Sequence, residues 1–137
     1  MDYSLAALKL FIGQLKNATQ TSSPSAMTLN GILFQRAWLQ GVLVESLENG
    51  NYVLDDGSGL TELSLSNDFR LRDWELGRYV MVVGAYVIRE GYQEELPLIK
   101  VHKMVDLSSA PDREAMWNLE VIEANKLFYH RFQLIWN

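Results

Sequence analysis

Asp55 and Asp56 are the residues whose type and spacing most directly suggest chemistry, because adjacent carboxylates occur in magnesium sites. A hard cation wants several converging oxygens, and no third one is evident near the pair. Turn chemistry, with aspartate bonding the backbone ahead of Gly57, is the better account. His102 lies between Val101 and Lys103 on an expected strand, and His130 lies in an apolar tail. Neither belongs to a recognisable nucleophile–base–acid constellation, and the serines fall in a linker, in turns and at a helix cap. The chain has no cysteine, which removes disulfides, Cys-ligated zinc and thiol chemistry. The expectation is a non-enzyme without metal or cofactor.

Tyr52, Tyr79, Tyr86 and Tyr92 raise a different possibility, the stacking of single-stranded bases on strand aromatics within a basic groove. Charge argues against it. Twelve Lys plus Arg against seventeen Asp plus Glu leave a formal charge of -5, whereas a backbone-tracking protein concentrates cations on one face. Arg70, Arg72 and Arg78 form the one local basic cluster, around a loop that also holds Asp68, Asp73 and Glu75. Direct single-stranded DNA binding through Tyr52 and that cluster is therefore the second reading, behind protein binding.

The elements that must position these residues are short. Leu5, Leu8, Phe11, Ile12 and Leu15 fall on one side of a helical period between Tyr3 and Lys16, which predicts an N-terminal amphipathic helix with Lys9 off the apolar side. A Ser/Thr-rich linker follows over Asn17–Pro24. Strands are expected at Arg36–Ser46, Tyr52–Asp55, Leu60–Leu65, Arg78–Arg89 and about Leu98–Val105. Asn49-Gly50 suggests a type I′ hairpin, Gly41 and Gly84 mark bends, and Asn67–Leu76 is the loosest stretch, with room for a short helical turn. Ser109, Pro111 and Asp112 stand in the order of a helix start. This order predicts an all-β fold with flanking helices: a single five-stranded oligonucleotide/oligosaccharide-binding (OB) barrel, an N-terminal amphipathic helix and a C-terminal partner-binding helix. The corresponding division is 1–24 for helix and linker, 25–108 for the barrel, and 109–137 for the C-terminal helix and tail. A sandwich would need about seven strands.

Within the last helix Trp117, Val121, Ala124 and Phe128 form a stripe that Met116 and Leu127 widen. A barrel-end cap uses fewer apolar residues, so a partner helix is expected to cover the remainder. Self-association through the same helix is a weaker expectation. No run approaches the length of about 18 apolar residues that spans a bilayer, and no basic-then-apolar leader is visible, so a soluble intracellular protein is expected.

Trp38-Leu-Gln-Gly41, Asp56-Gly-Ser-Gly59, Gly77-Arg-Tyr-Val-Met-Val-Val-Gly84 and Lys103-Met-Val-Asp-Leu-Ser108, followed by Met116-Trp-Asn-Leu-Glu-Val121, resemble the family of the second RecQ-mediated genome instability protein. The resemblance covers roughly residues 37–121, and the segment Leu8–Leu15 is similar in placement to the helix that precedes the barrel there. The tail from Asn125 has no counterpart. The resemblance implies a non-catalytic subunit that pairs directly with RecQ-mediated genome instability protein 1, in a heterodimer like those inside replication protein A. Through the complex it implies topoisomerase III alpha and a Bloom-type RecQ helicase as partners. It also implies a nuclear role in double Holliday junction dissolution, homologous recombination, DNA replication and repair. It singles out Lys103 and Trp117 for partner contact. With Lys9, Met116, Val121, Ala124 and Phe128 they make up the expected interface.

Overall fold

Ala37, Leu39 and Leu43 are fully buried while Trp38, Val42 and Val44 are not, the period-two pattern of a strand with one face on a core. That strand is the hub of the fold. A computed structural model describes residues 7–22, 26–29, 31–66, 74–89, 96–110 and 112–136, with backbone alone at 125 and 127–136. Its strands are β1 (Leu8–Lys9), β2 (Thr19–Gln20), β3 (Met27–Leu29), β4 (Ile32–Phe34), β5 (Ala37–Ser46), β6 (Tyr52–Asp55), β7 (Leu60–Ser64), β8 (Tyr79–Val87) and β9 (Leu98–Asp106). The helix α1 spans Arg113–Trp136.

The main sheet has the order β1-β5-β6-β7-β9-β8, and β8 pairs again with β5. β5 therefore serves three partners, β8 over Ala37–Val42 along one side, and β1 at Ala37–Trp38 and β6 from Val42 onward along the other. Gly41 sits at the changeover, where a Cβ would approach the Asp55 carbonyl to 2.6 Å. The register irregularity expected near Gly41 falls instead between Leu43 and Glu45. Gly84 has a similar reason to lack a side chain, since a Cβ would collide with the Lys100 carbonyl and lie 2.8 Å from Ile99 Cγ2. β2, β3 and β4 form a separate three-stranded sheet. Its Met27, Leu29 and Phe34 join Leu54, Leu63, Val80, Val82 and Ile99 in one core cluster.

The N-terminal segment differs from expectation. In place of an amphipathic α-helix, its described part is β1, parallel to β5, followed by a 3-10 helix over Ile12–Asn17. The apolar spacing is real, for Leu10, Ile12 and Leu15 are all buried. The backbone donors go elsewhere: Ile12 N–H donates to Asp56 Oδ2 at 2.7 Å and Gly13 N–H to Ser58 Oγ at 2.9 Å. At Gly13 a Cβ would meet the Ser58 carbonyl at 2.8 Å, so this close approach requires glycine. Part of the expected linker is β2.

The β5–β6 hairpin also departs from type I′. Gly50 N–H donates to the Leu47 carbonyl at 3.0 Å, and Gly50 has φ +87°. Glycine is thus the last residue of the turn, an arrangement in which one left-handed residue re-aims the chain into β6. Most of the loose 67–76 stretch, and the hairpin around Glu90-Gly91, lie outside the described residues.

Candidate functional site

Antiparallel and parallel registers bring together side chains far apart in the sequence. Lys9 on β1 is opposite Trp38 on β5, Trp38 opposite Val83 on β8, and Val83 opposite Lys103 on β9. Opposite residues share a sheet face, and this face is the outer one because Leu39, Val82 and Met104 beside them point inward. The result is a transverse row with an indole and a valine between two lysines, about 14 Å from end to end at ordinary strand spacing.

α1 roofs one end of this row. Its residues Arg113, Trp117 and Val121 recur every four positions, so they share a helix face. Trp117 is 1% exposed and stacks on Trp38 with ring centroids 5.8 Å apart. Lys9 Nζ lies 4.9 Å from the centre of a Trp38 ring and 3.8 Å from Glu120 Oε2. Arg113 reaches the same Glu120 oxygen at 3.7 Å. Below the roof, Tyr79 donates to Gln40 Oε1 at 3.2 Å. Burial first, then the nearby Glu114 carboxylate, pushes the Tyr79 phenol up to about 12, so it stays neutral and able to donate.

The expected interface residues divide. Lys9 and Trp117 meet at Trp38 and Lys103 lies two strands away in the same row, but Trp117 and Val121 are buried inside this chain, as a plug on the outer wall of the sheet. Ala124 is half-buried, and the side chain of Phe128 lies outside the described residues. Met116 is 49% exposed and belongs to the opposite helix face, with Leu119 at 67% and Ile122 at 43%. Leu119 and Ile122 were missed as site residues. Their three-residue spacing from Met116 was the available signal. Trp38 was missed too, because its position between the lysines depends on strand register.

The other sequence candidates resolve locally. Asp55 Oδ1 accepts from Gly57 N–H at 2.8 Å, and Asp56 Oδ1 accepts from Ser58 N–H at 2.9 Å, so both carboxylates serve the turn. Arg78 is bonded to Asp106 at 2.8 Å. Arg70, Arg72 and Tyr92 lie outside the described residues, as does the side chain of His130.

A family model described as RecQ-mediated genome instability protein 2 matches residues 6–125. The chain is 34% identical over 131 residues to the Mus musculus protein of that name, covering 89% of this chain and 84% of the relative. It is 37% identical over 100 residues to the Gallus gallus protein, covering 70% of each. Among solved structures, a replication protein A heterotrimer bound to single-stranded DNA contains a chain that aligns with TM-score 0.70 at 20% identity, covering 88% of this chain and 95% of that one. The S. pombe Stn1–Ten1 complex aligns with TM-score 0.73 at 16% identity, covering 90% and 93%. These likenesses show the fold, a mostly β one of the OB type with a C-terminal helix.

Proposed function

We propose that this chain, which belongs to the RecQ-mediated genome instability protein 2 family, is a non-catalytic OB-barrel subunit of the RecQ genome-stability complex. The circuit of pairings from β5 through β6, β7, β9 and β8 back to β5 supports reading the main sheet as a single five-stranded barrel with β1 added outside. The observation that carries the functional reading is the second, exposed apolar face of α1. Met116, Leu119 and Ile122 face away from the sheet that Trp117 and Val121 cover. Leaving such a stripe in water is unfavourable by about 1 kcal/mol or more per residue, so a partner helix is its natural cover.

In this reading RecQ-mediated genome instability protein 1 packs on that face, and the Lys9–Trp38–Val83–Lys103 row next to α1 extends the contact at its rim. Trp117 and Val121 act from beneath by fixing the helix. Topoisomerase III alpha and the Bloom-type helicase are reached through the pair, in double Holliday junction dissolution and homologous recombination, and the nucleus is the compartment. Co-expression of Leu119→Asp/Ile122→Asp with tagged RecQ-mediated genome instability protein 1 tests it. The double variant should keep a wild-type circular dichroism spectrum and lose co-purification. Retained co-purification would exclude this face.

A further inference from the structure

Lys9, Arg78, Arg89 and Arg113 are each held by a carboxylate. Arg36 and Lys100 are exposed and, among the described residues, form no ion pair. They are neighbours on the outer face of the sheet. Lys100 is opposite Ala85, and Ala37 is opposite Gly84, so the same register carried one residue beyond β5 sets Arg36 across from Ala85. A second transverse row, Arg36–Ala85–Lys100, thus runs one pleat beyond the Trp38 row and clear of the exposed face of α1. Its cations are about 10 Å apart at the backbone, with only a methyl group between them.

A β-bulge adds a further polar side chain. Val101 pairs with Gly84 and Lys103 with Val83, so His102 is the extra residue of β9. Val101 and Met104 remain buried while His102 and Lys103 are both exposed. Beside Lys100, Val87 offers an exposed apolar side chain. Burial first, then the charges of Arg36 and Lys100, holds the His102 imidazole below its usual range, which reports a positive field at this spot in a chain of net charge -5.

We propose that Arg36, Lys100 and His102, with Ala85 and Val87 as floor, dock an extended acidic peptide segment of another protein. Carboxylates two residues apart on an extended chain lie about 7 Å from one another, a span that long arginine and lysine side chains converging over Ala85 can bracket. The residue between them points to the opposite side of the extended chain and is left unconstrained by this geometry. A single-stranded nucleic acid suits the surface less well, because bases need an aromatic platform and the one tyrosine of this stretch, Tyr86, packs against the core. The overall negative charge does not forbid the contact, since screening limits exposed charges to about 10 Å at 0.1 M salt.

The test is fluorescence anisotropy of the full-length chain with a short labelled alternating Asp-Val peptide at low salt. Saturable binding is expected, weakened at least about tenfold in Arg36→Glu/Lys100→Glu. Lys16→Glu/Lys126→Glu carries the same change in net charge on other surfaces and should bind as the wild type does. The Arg36/Lys100 variant should still co-purify with RecQ-mediated genome instability protein 1, which separates this site from the helix face. Absence of saturation, equal weakening in both double variants, or equal binding of the same peptide with asparagine in place of aspartate would each overturn the proposal. So would tighter binding of labelled oligothymidine with the same sensitivity to Arg36 and Lys100.

Discussion

Trp38 and Trp117 meet with ring centroids 5.8 Å apart and planes inclined by 37°, joining the sheet and α1 through one aromatic pair. Together with buried Val121, that contact fixes the side of α1 that faces outward.

Replacing Trp117 by alanine should therefore cost about 3–5 kcal/mol of stability, the usual range for deleting a buried tryptophan. Trp117→Phe should cost less than half as much, because it keeps a ring against Trp38 and removes an indole N–H that has no hydrogen-bond partner among the described residues. Urea denaturation of both variants provides the comparison. A loss below about 1 kcal/mol for the alanine variant would show that the helix is held by other contacts.

Lys9 separates stability from recognition. Its ion pair with Glu120 is 3.8 Å long and a third exposed on each side, so Lys9→Met should change stability by no more than about 0.5 kcal/mol. Partner affinity should nevertheless fall, because the charge ends the Trp38 row. Thermal melts and titration with the purified partner distinguish the two effects, and unchanged affinity would remove Lys9 from the interface.

Much of this arrangement was legible in the sequence, for reasons that particular residues make plain. Tyr52–Asp55 was read with the limits the structure gives it, since Asn49-Gly50 on one side and Asp56-Gly57 on the other leave no room for another assignment. Gly84 reads as a bend in the sequence, whereas the structure gives it another reason to lack a side chain, the Lys100 carbonyl that a Cβ would strike. The N-terminal helix was misread because Ile12 and Leu15 are three apart, a spacing that 3-10 and α-helices share, and the deciding bonds come from Asp56 and Ser58, far along the chain. Periodicity found the buried stripe of α1 but not which stripe faces outward. Strand register, which no local pattern reveals, put Trp38 between Lys9 and Lys103.

Asp56 should act as an anchor for the start of the chain. Asp56→Ala removes the acceptor of Ile12 N–H and the turn bonds to Ser58, with an expected cost of about 1–2 kcal/mol. Amide exchange at Ile12 and Gly13 should accelerate well before exchange in β8. Uniform acceleration throughout the sheet would mean that the segment does not open independently.

Glu62 should give stability a dependence on acid. Burial raises its carboxyl, but hydrogen bonds from Asn51 and the paired Arg89 outweigh burial and hold it below the ordinary value of 4.5. A carboxylate depressed on folding contributes stability that is complete above the unfolded value and is lost as pH falls through the folded one. Glu62→Gln should therefore destabilise the chain near pH 7 by about 1–2 kcal/mol and progressively less below about pH 4. Chemical denaturation at the two pH values measures the difference, and a constant gap would assign the effect to shape alone.

The bulge at His102 has a consequence for how this surface can vary. Removing residue 102 would restore plain alternation, with Lys100 and Lys103 still outward and Val101 and Met104 still inward, because their partners on β8 are already consecutive. The position has the geometry of an optional insert: a chain one residue shorter would present the same interior to the core and lose one exposed imidazole from the outside. Length variation, ordinarily confined to loops, would be tolerated here in the middle of a strand.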